Sequence, residues 1–389
     1  MKKLTTLLCI PVLVAGIGLV TGCEGPEGPQ GPQGPPGTPG VSFEGFADSI
    51  QCADCHTQDY ADSLYYVAAR QYQWGQSAHA IGGNIERNGT NCAGCHSTEG
   101  LLERWREGWT TQVVDPVLNP SPINCFACHS PHLRADFSLR EADPVTIASF
   151  VNNVPDAVFD YGPGNMCVQC HQTRTASPMS PKPDPAAPTA TITITSSRWY
   201  PHYGVQGQML MGEGGYEYAD YTYTGNSNHS NNPGIKENGC AGCHMAEQAD
   251  GDLGTGNAGG HTMKITWQPA GEDPDTSYFL AGCEDAGCHG ENFFPSTDYP
   301  GATTAPVGAQ TFVHGLLDSL HTLLVDRGYL NPATGLVNAS SSSPLVITND
   351  QAGALFNYFF VEHEGSFGVH NTKYAKELLE SAIAELNAR

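Results

Sequence analysis

Six times along the chain two cysteines stand close together with a histidine directly after the second. Five of these have two residues between the thiols: Cys52-Ala-Asp-Cys55-His56, Cys92-Ala-Gly-Cys95-His96, Cys125-Phe-Ala-Cys128-His129, Cys167-Val-Gln-Cys170-His171 and Cys240-Ala-Gly-Cys243-His244. The sixth, Cys283 to Cys288 followed by His289, has four. One tight turn can offer two such thiols to the vinyl groups of a haem, and the adjoining imidazole then falls beneath the iron as proximal ligand. The longer loop spans the same vinyls if it bulges outward. The pattern therefore predicts six covalently bound c-type haems, with His56, His96, His129, His171, His244 and His289 as proximal iron ligands. Zinc on CxxC knuckles and disulfides in an exported protein are the competing uses of paired cysteines, but neither demands a histidine after every pair.

The stretch from Trp74 to His96 carries both axial ligand types, because His79 follows Trp74 and Ser77 in a predicted helix that can present an imidazole to the open face of an iron. A bis-histidine iron transfers electrons and resists substrates. Nine histidines lie outside the motifs, at 79, 132, 202, 229, 261, 314, 321, 363 and 370, and six are needed. Of the 14 cysteines, 12 are in haem motifs; the remaining two, Cys9 and Cys23, lie in the N-terminal export segment, so no disulfide is expected.

Several segments resemble a family of bacterial multihaem c-type cytochromes related to the pentahaem ammonia-forming nitrite reductases. They are Trp74-x-x-Ser77-x-His79-Ala80, Cys128-His129-Ser130-Pro131-His132, Pro201-His202-Tyr203-Gly204, Gly259-Gly260-His261-Thr262 and Gly368-Val369-His370-Asn371. The resemblance implies that His79, His132, His202, His261 and His370 are distal ligands. His229 completes the six, since it precedes the Cys240 motif as His79 precedes the Cys92 motif. His314, His321 and His363 then read as solvated helix residues. The reductases carry a lysine as proximal ligand in a CxxCK motif at their catalytic haem. Here all six motifs end in histidine, which argues against nitrite reduction.

The elements that must position these groups are sparse. Only 39% of 389 residues are hydrophobic, and 45 Gly and 28 Pro mark a loop-rich chain. Apolar macrocycles can serve as core instead, giving a mainly α fold with extensive loops and a few short strands, packed around haem. First cysteines of successive motifs are 40, 33, 42, 73 and 43 residues apart, so the chain is no tandem array. The longest interval holds a proline-rich surface linker at 178–188, an alternating run at 189–195 that predicts a strand, and a second candidate strand at 216–223. The C-terminal segment 311–389 has no haem motif and predicts helices over 311–327, 350–363 and 372–386, the last with an apolar stripe from Tyr374 to Leu386.

The N-terminus predicts export. Lys2 and Lys3 precede an apolar run from Leu4 to Val20, and Val20-Thr21-Gly22-Cys23 fits a lipoprotein cleavage box: a signal peptide over 1–22 with lipid on Cys23. Residues 23–42 comprise Cys23 and a collagen-like Gly-Pro-rich tether. As an extended polyproline strand of about 3.1 Å per residue it would hold the cytochrome domain, 43–389, up to ~50 Å off a membrane; as a collagen helix it would trimerise the chain.

Seventeen basic against 40 acidic residues give a net charge of −23, which disfavours nucleic acid and suits basic redox proteins or cations. The expected function is electron transfer through six haems at the cell envelope, outer membrane or surface, with other cytochromes as partners and self-assembly into filaments or trimers as a special case. The competing expectation is a multihaem reductase of a nitrogen or sulfur oxyanion or of metal ions, with an open haem at Cys283 to His289.

Overall fold

A computed structural model describes residues 67–82, 85–110, 112–134, 136–174, 179–225, 228–247, 257–267, 277–283, 289 and 308–388. The export segment, Cys23, the tether, Cys52, Cys55, His56 and Cys288 lie outside the described residues. The chain divides into residues 1–44 and 45–389, and every described residue belongs to the second unit.

The haem-binding half consists of short helices and loops. In order these are α1 (Val67–Gly75), α2 (Ala78–Ile81), α3 (Ala93–His96), α4 (Thr98–Arg106), α5 (Cys125–Cys128), α6 (Pro131–Arg134), α7 (Gly164–Val168), α8 (Gln206–Met211), α9 (Asn228–Asn231) and α10 (Pro233–His244). Most are single turns that close one motif or present one imidazole. The C-terminal part is built differently, from three long helices: α11 (Ala309–Asp326), α12 (Asn349–Glu364) and α13 (Thr372–Ala388).

These three helices carry most of the larger apolar cluster. Val313, Leu317, Leu320 and Leu324 recur at helical spacing on α11 and are buried, as are Tyr374, Ala375, Leu378, Leu379, Ala382 and Leu386 on α13. Each such leucine contributes about 1.5–3 kcal/mol of hydrophobic stabilisation. Thr348 and Gln351 form a reciprocal capping box at the start of α12, and Gly365 ends it in the left-handed region at φ 81°. The run at 189–195 does form a strand, β3 (Thr191–Ile194), antiparallel to β6 (Leu345–Thr348), after the ribbon β1 (Val145–Ile147) and β2 (Ala157–Phe159). A third two-stranded ribbon, β4 (Thr266–Trp267) with β5 (Ser277–Tyr278), lies between them in sequence. The fold is thus mainly α with a few short strands.

The expected strand at 216–223 does not form. The backbone of Tyr216 is claimed by a side chain: Asn357 Oδ1 accepts from its N–H at 2.8 Å, and Asn357 Nδ2 donates to its carbonyl at 2.8 Å. Tyr218 N–H goes to the Tyr223 hydroxyl, and Thr224 N–H to Glu377. Helix side chains have taken the place of a neighbouring strand. The proline-rich segment is likewise strapped down: Lys182 Nζ donates to Ser149 O, Trp199 Nε1 to Pro181 O, and Asp184 N–H to Asn349 Oδ1.

Nor is His363 a solvated helix residue. It is 9% exposed on α12, with its ring 4.0 Å from that of Tyr203 and 4.7 Å from that of Tyr200. His314 does lie exposed on α11, stacked on Phe367 at 3.9 Å, and His321 is half-buried near Tyr358.

Candidate functional site

The motifs share one local closure. The N–H of His96 donates to Cys92 O at 3.1 Å, that of His129 to Cys125 O at 2.9 Å and that of His171 to Cys167 O at 3.0 Å. A turn of this kind sets both thiols and the imidazole on one side of the backbone. Asn124 caps the third motif by accepting from Phe126 N–H at 3.0 Å. In the sixth motif, despite its two extra residues, His289 N–H still donates to Cys283 O at 3.0 Å. The closing contact between the histidine N–H and the first cysteine's carbonyl is kept.

The fifth motif needs a glycine. Gly239, at φ 55° and ψ −142°, interrupts α10 just before Cys240, a conformation open to glycine and strained for any L side chain. A Cβ there would also meet Tyr161 O at 2.3 Å.

The motif imidazoles do not stand alone. His79 faces His171 with ring centres 6.2 Å apart, His96 faces His202 at 6.4 Å, His129 faces His261 at 6.3 Å, His229 faces His289 at 6.1 Å and His244 faces His370 at 6.2 Å. Two metal–imidazole bonds of about 2.0 Å, each with about 1.1 Å from nitrogen to ring centre, separate two trans imidazoles by about 6.2 Å. All five described motif histidines thus have one partner each at the spacing of an axial pair, and all five partners belong to the set read as distal ligands. His132, the sixth of that set, lies beside Phe126 with ring centres 5.7 Å apart.

Hydrogen bonds favour the same nitrogen for a metal. Nδ1 is the engaged atom of His79 (Met263 Sδ), His129 (Ser138 O), His171 (Gln206 Oε1), His229 (Val369 O), His244 (Met263 O) and His370 (Glu364). Nε2 is the nitrogen that would hold an iron, with ring tautomer and orientation set by the second contact. Burial, reinforced by nearby positive groups or imidazoles, lowers the pKa of His79, His202 and His261 to about 4. It also lowers those of His96, His171, His244 and His289. Neutral imidazole is the form that ligates.

All ten paired histidines and every described motif cysteine line one cavity of about 2430 Å³. Neighbouring motifs touch within it. Cys95 lies near Cys170, and Cys167 near Cys240, each close enough to perturb the other electrostatically. Arg104, 5% exposed on α4, ties two motifs together by donating to Gly94 O at 3.0 Å and Gln169 O at 3.4 Å, besides Thr110 O at 2.8 Å. The thiol pattern, the turns and the paired imidazoles all fit haem.

Residues 42–182, which span the first four motifs, match the family model described as outer membrane cytochrome MtrC/MtrF-like, domains II/IV. Over these residues the chain is similar to outer membrane cytochromes of that family. The solved structure of the outer cell wall cytochrome OcwA matches 82% of this chain at 20% identity and a TM-score of 0.43, and this chain spans about half (50%) of its length. No curated protein matches.

No local pattern of residues points to Arg104, Met263 or Glu364. Met263 engages His79 through its sulfur and His244 through its carbonyl. Met263 sits far from His79 in the chain, and no motif marks any of the three.

Proposed function

We propose that this cytochrome carries single electrons through six bis-histidine haems at the cell envelope, between a donor inside it and an acceptor at or beyond the outer membrane. The observation that carries this reading is the set of five imidazole pairs at 6.1–6.4 Å. Haem iron supplies a reversible one-electron centre; with both axial positions taken by nitrogen, it offers no place for substrate. The protein's part is to orient the imidazoles, keep them neutral and bury the macrocycles close together. The nearness of Cys95 to Cys170, and of Cys167 to Cys240, supports adjacency of the haems on these motifs. His56, which lies outside the described residues, is proposed as the remaining proximal ligand and His132 as the remaining distal one.

The match to outer membrane cytochromes supports location in the envelope, and the acidic charge supports basic redox proteins as partners. A lipid on Cys23, with the Gly-Pro-rich tether behind it, is the proposed anchor. Among the described residues no helix is long and apolar enough to cross a membrane. Kinship to the nitrite reductases rests on the sequence segments, whereas the matching family model is that of outer membrane cytochromes. The reductase reading placed an open iron at the Cys283 motif; His229, 6.1 Å from His289, weighs against it.

The deciding experiment is an EPR and optical spectrum of the purified ferric protein, together with its mass. The expected result is six haems, all low-spin. A high-spin ferric signal in the untreated protein would overturn the electron-carrier reading, and a mass with five haems would remove the Cys283 site.

A further inference from the structure

Of the six imidazoles whose Nδ1 contact is defined, five meet a neutral acceptor: a backbone carbonyl for His129, His229 and His244, an amide oxygen for His171 and a thioether for His79. His370 meets a carboxylate. Glu364 Oε1 accepts from His370 Nδ1, and the Glu364 side chain is 0% exposed. The second oxygen, Oε2, accepts from Ser366 N–H at 3.0 Å and from Ser366 Oγ at 2.7 Å. Glu364 is also the last residue of α12, where the helix dipole presents negative charge and disfavours another anion. A carboxylate retained in a buried site that opposes it requires hydrogen-bond donors to compensate it. One such donor is the Nδ1–H of the neutral His370 ring.

We propose that Glu364 sets the redox potential of the haem held by His244 and His370, lowering it relative to the haems whose imidazoles bond neutral acceptors. The proposal rests on the reading of His244 and His370 as an axial pair. A carboxylate on Nδ1 draws the ring toward imidazolate, which raises its basicity at Nε2 and stabilises the oxidised metal over the reduced one. The centre accepts one electron from a neighbouring haem and releases one to the next. Glu364 makes the reduced state there the less populated, so electrons pass through this position instead of resting on it.

The test is an optical redox titration of the holoprotein and of Glu364→Gln, a near-isosteric change that keeps an oxygen for Ser366. One sixth of the haem absorbance is expected to titrate at a higher potential, with a tenfold change in the ferric-to-ferrous ratio at fixed potential, about 59 mV. All haems should stay low-spin. An unchanged titration with low-spin haems overturns the proposal and leaves the pairing intact. His370→Ala tests the pairing separately: it should turn one haem high-spin, and failure to do so would sink the pairing itself. If Glu364→Gln displaces His370, Ser366→Ala decides. Removing the Ser366 hydroxyl leaves the carboxylate more basic, so that haem should move to lower potential, opposite in sign to the glutamine variant. No movement, or movement upward, overturns the proposal.

Discussion

His202 stands 6.4 Å from His96 with the two rings 77° apart, and it does so from a left-handed backbone at φ 75°. A non-glycine residue held there costs on the order of 1–3 kcal/mol and persists where its surroundings over-determine it. Replacing His202 by alanine should convert about one sixth of the haem to high-spin and raise that centre's potential. The ferric EPR spectrum checks this. His363→Ala is the matched control: its ring packs on Tyr203 next to His202, yet it belongs to none of the pairs, so every haem should remain low-spin. A high-spin signal from the control would mean that His363, not His202, reaches the iron.

Arg104→Met should destabilise the protein by roughly 3 kcal/mol, because several buried carbonyls lose a charged donor at once. Thermal unfolding followed by circular dichroism measures it. The damage should register at two haems, those on the Cys92 and Cys167 motifs, since the guanidinium bridges them. Unfolding at the wild-type temperature would show that the bridge does not contribute to stability.

Gly239→Ala places a Cβ against Tyr161 O and forces an alanine into φ 55°, ψ −142°. The expected outcome is a protein depleted in the haem of the Cys240 motif. Haem absorbance per mole of protein should fall by about one part in six, counting one of six motif haems. Full haem content would show that the chain can relax around the methyl group.

Cys23→Ala should release the protein from membranes, since the proposed anchor is a single lipidated residue. Retention in the membrane pellet after a carbonate wash would refute lipid anchoring.

Much of the site was legible because haem attachment writes itself into short-range sequence: two thiols and an imidazole must share a turn, whatever surrounds them. The three C-terminal helices were legible for a similar reason, since Leu378, Leu379 and Ala382 repeat at helical spacing on one face. Partnership between imidazoles was not legible. His79 lies thirteen residues before the Cys92 motif yet faces His171, and His261 follows the Cys240 motif yet faces His129. Such pairings depend on packing between distant segments. The failed strand at 216–223 and the buried His363 have one cause: the tyrosines of the first and the imidazole of the second are enclosed by partners that local periodicity does not report, Asn357 in one case and Tyr200 with Tyr203 in the other.

The exchange of imidazoles between segments also bears on how such a chain can change over generations. With the pairing proposed here, deletion of residues 74–96 would remove one haem and strip His79 from the haem on the Cys167 motif. Loss of residues 228–244 would likewise take the haem of the Cys240 motif and leave His289 without His229. Shortening the gene by one motif therefore damages two centres, and a lineage could lower its haem count only by losing reciprocal sets or by recruiting a substitute ligand first.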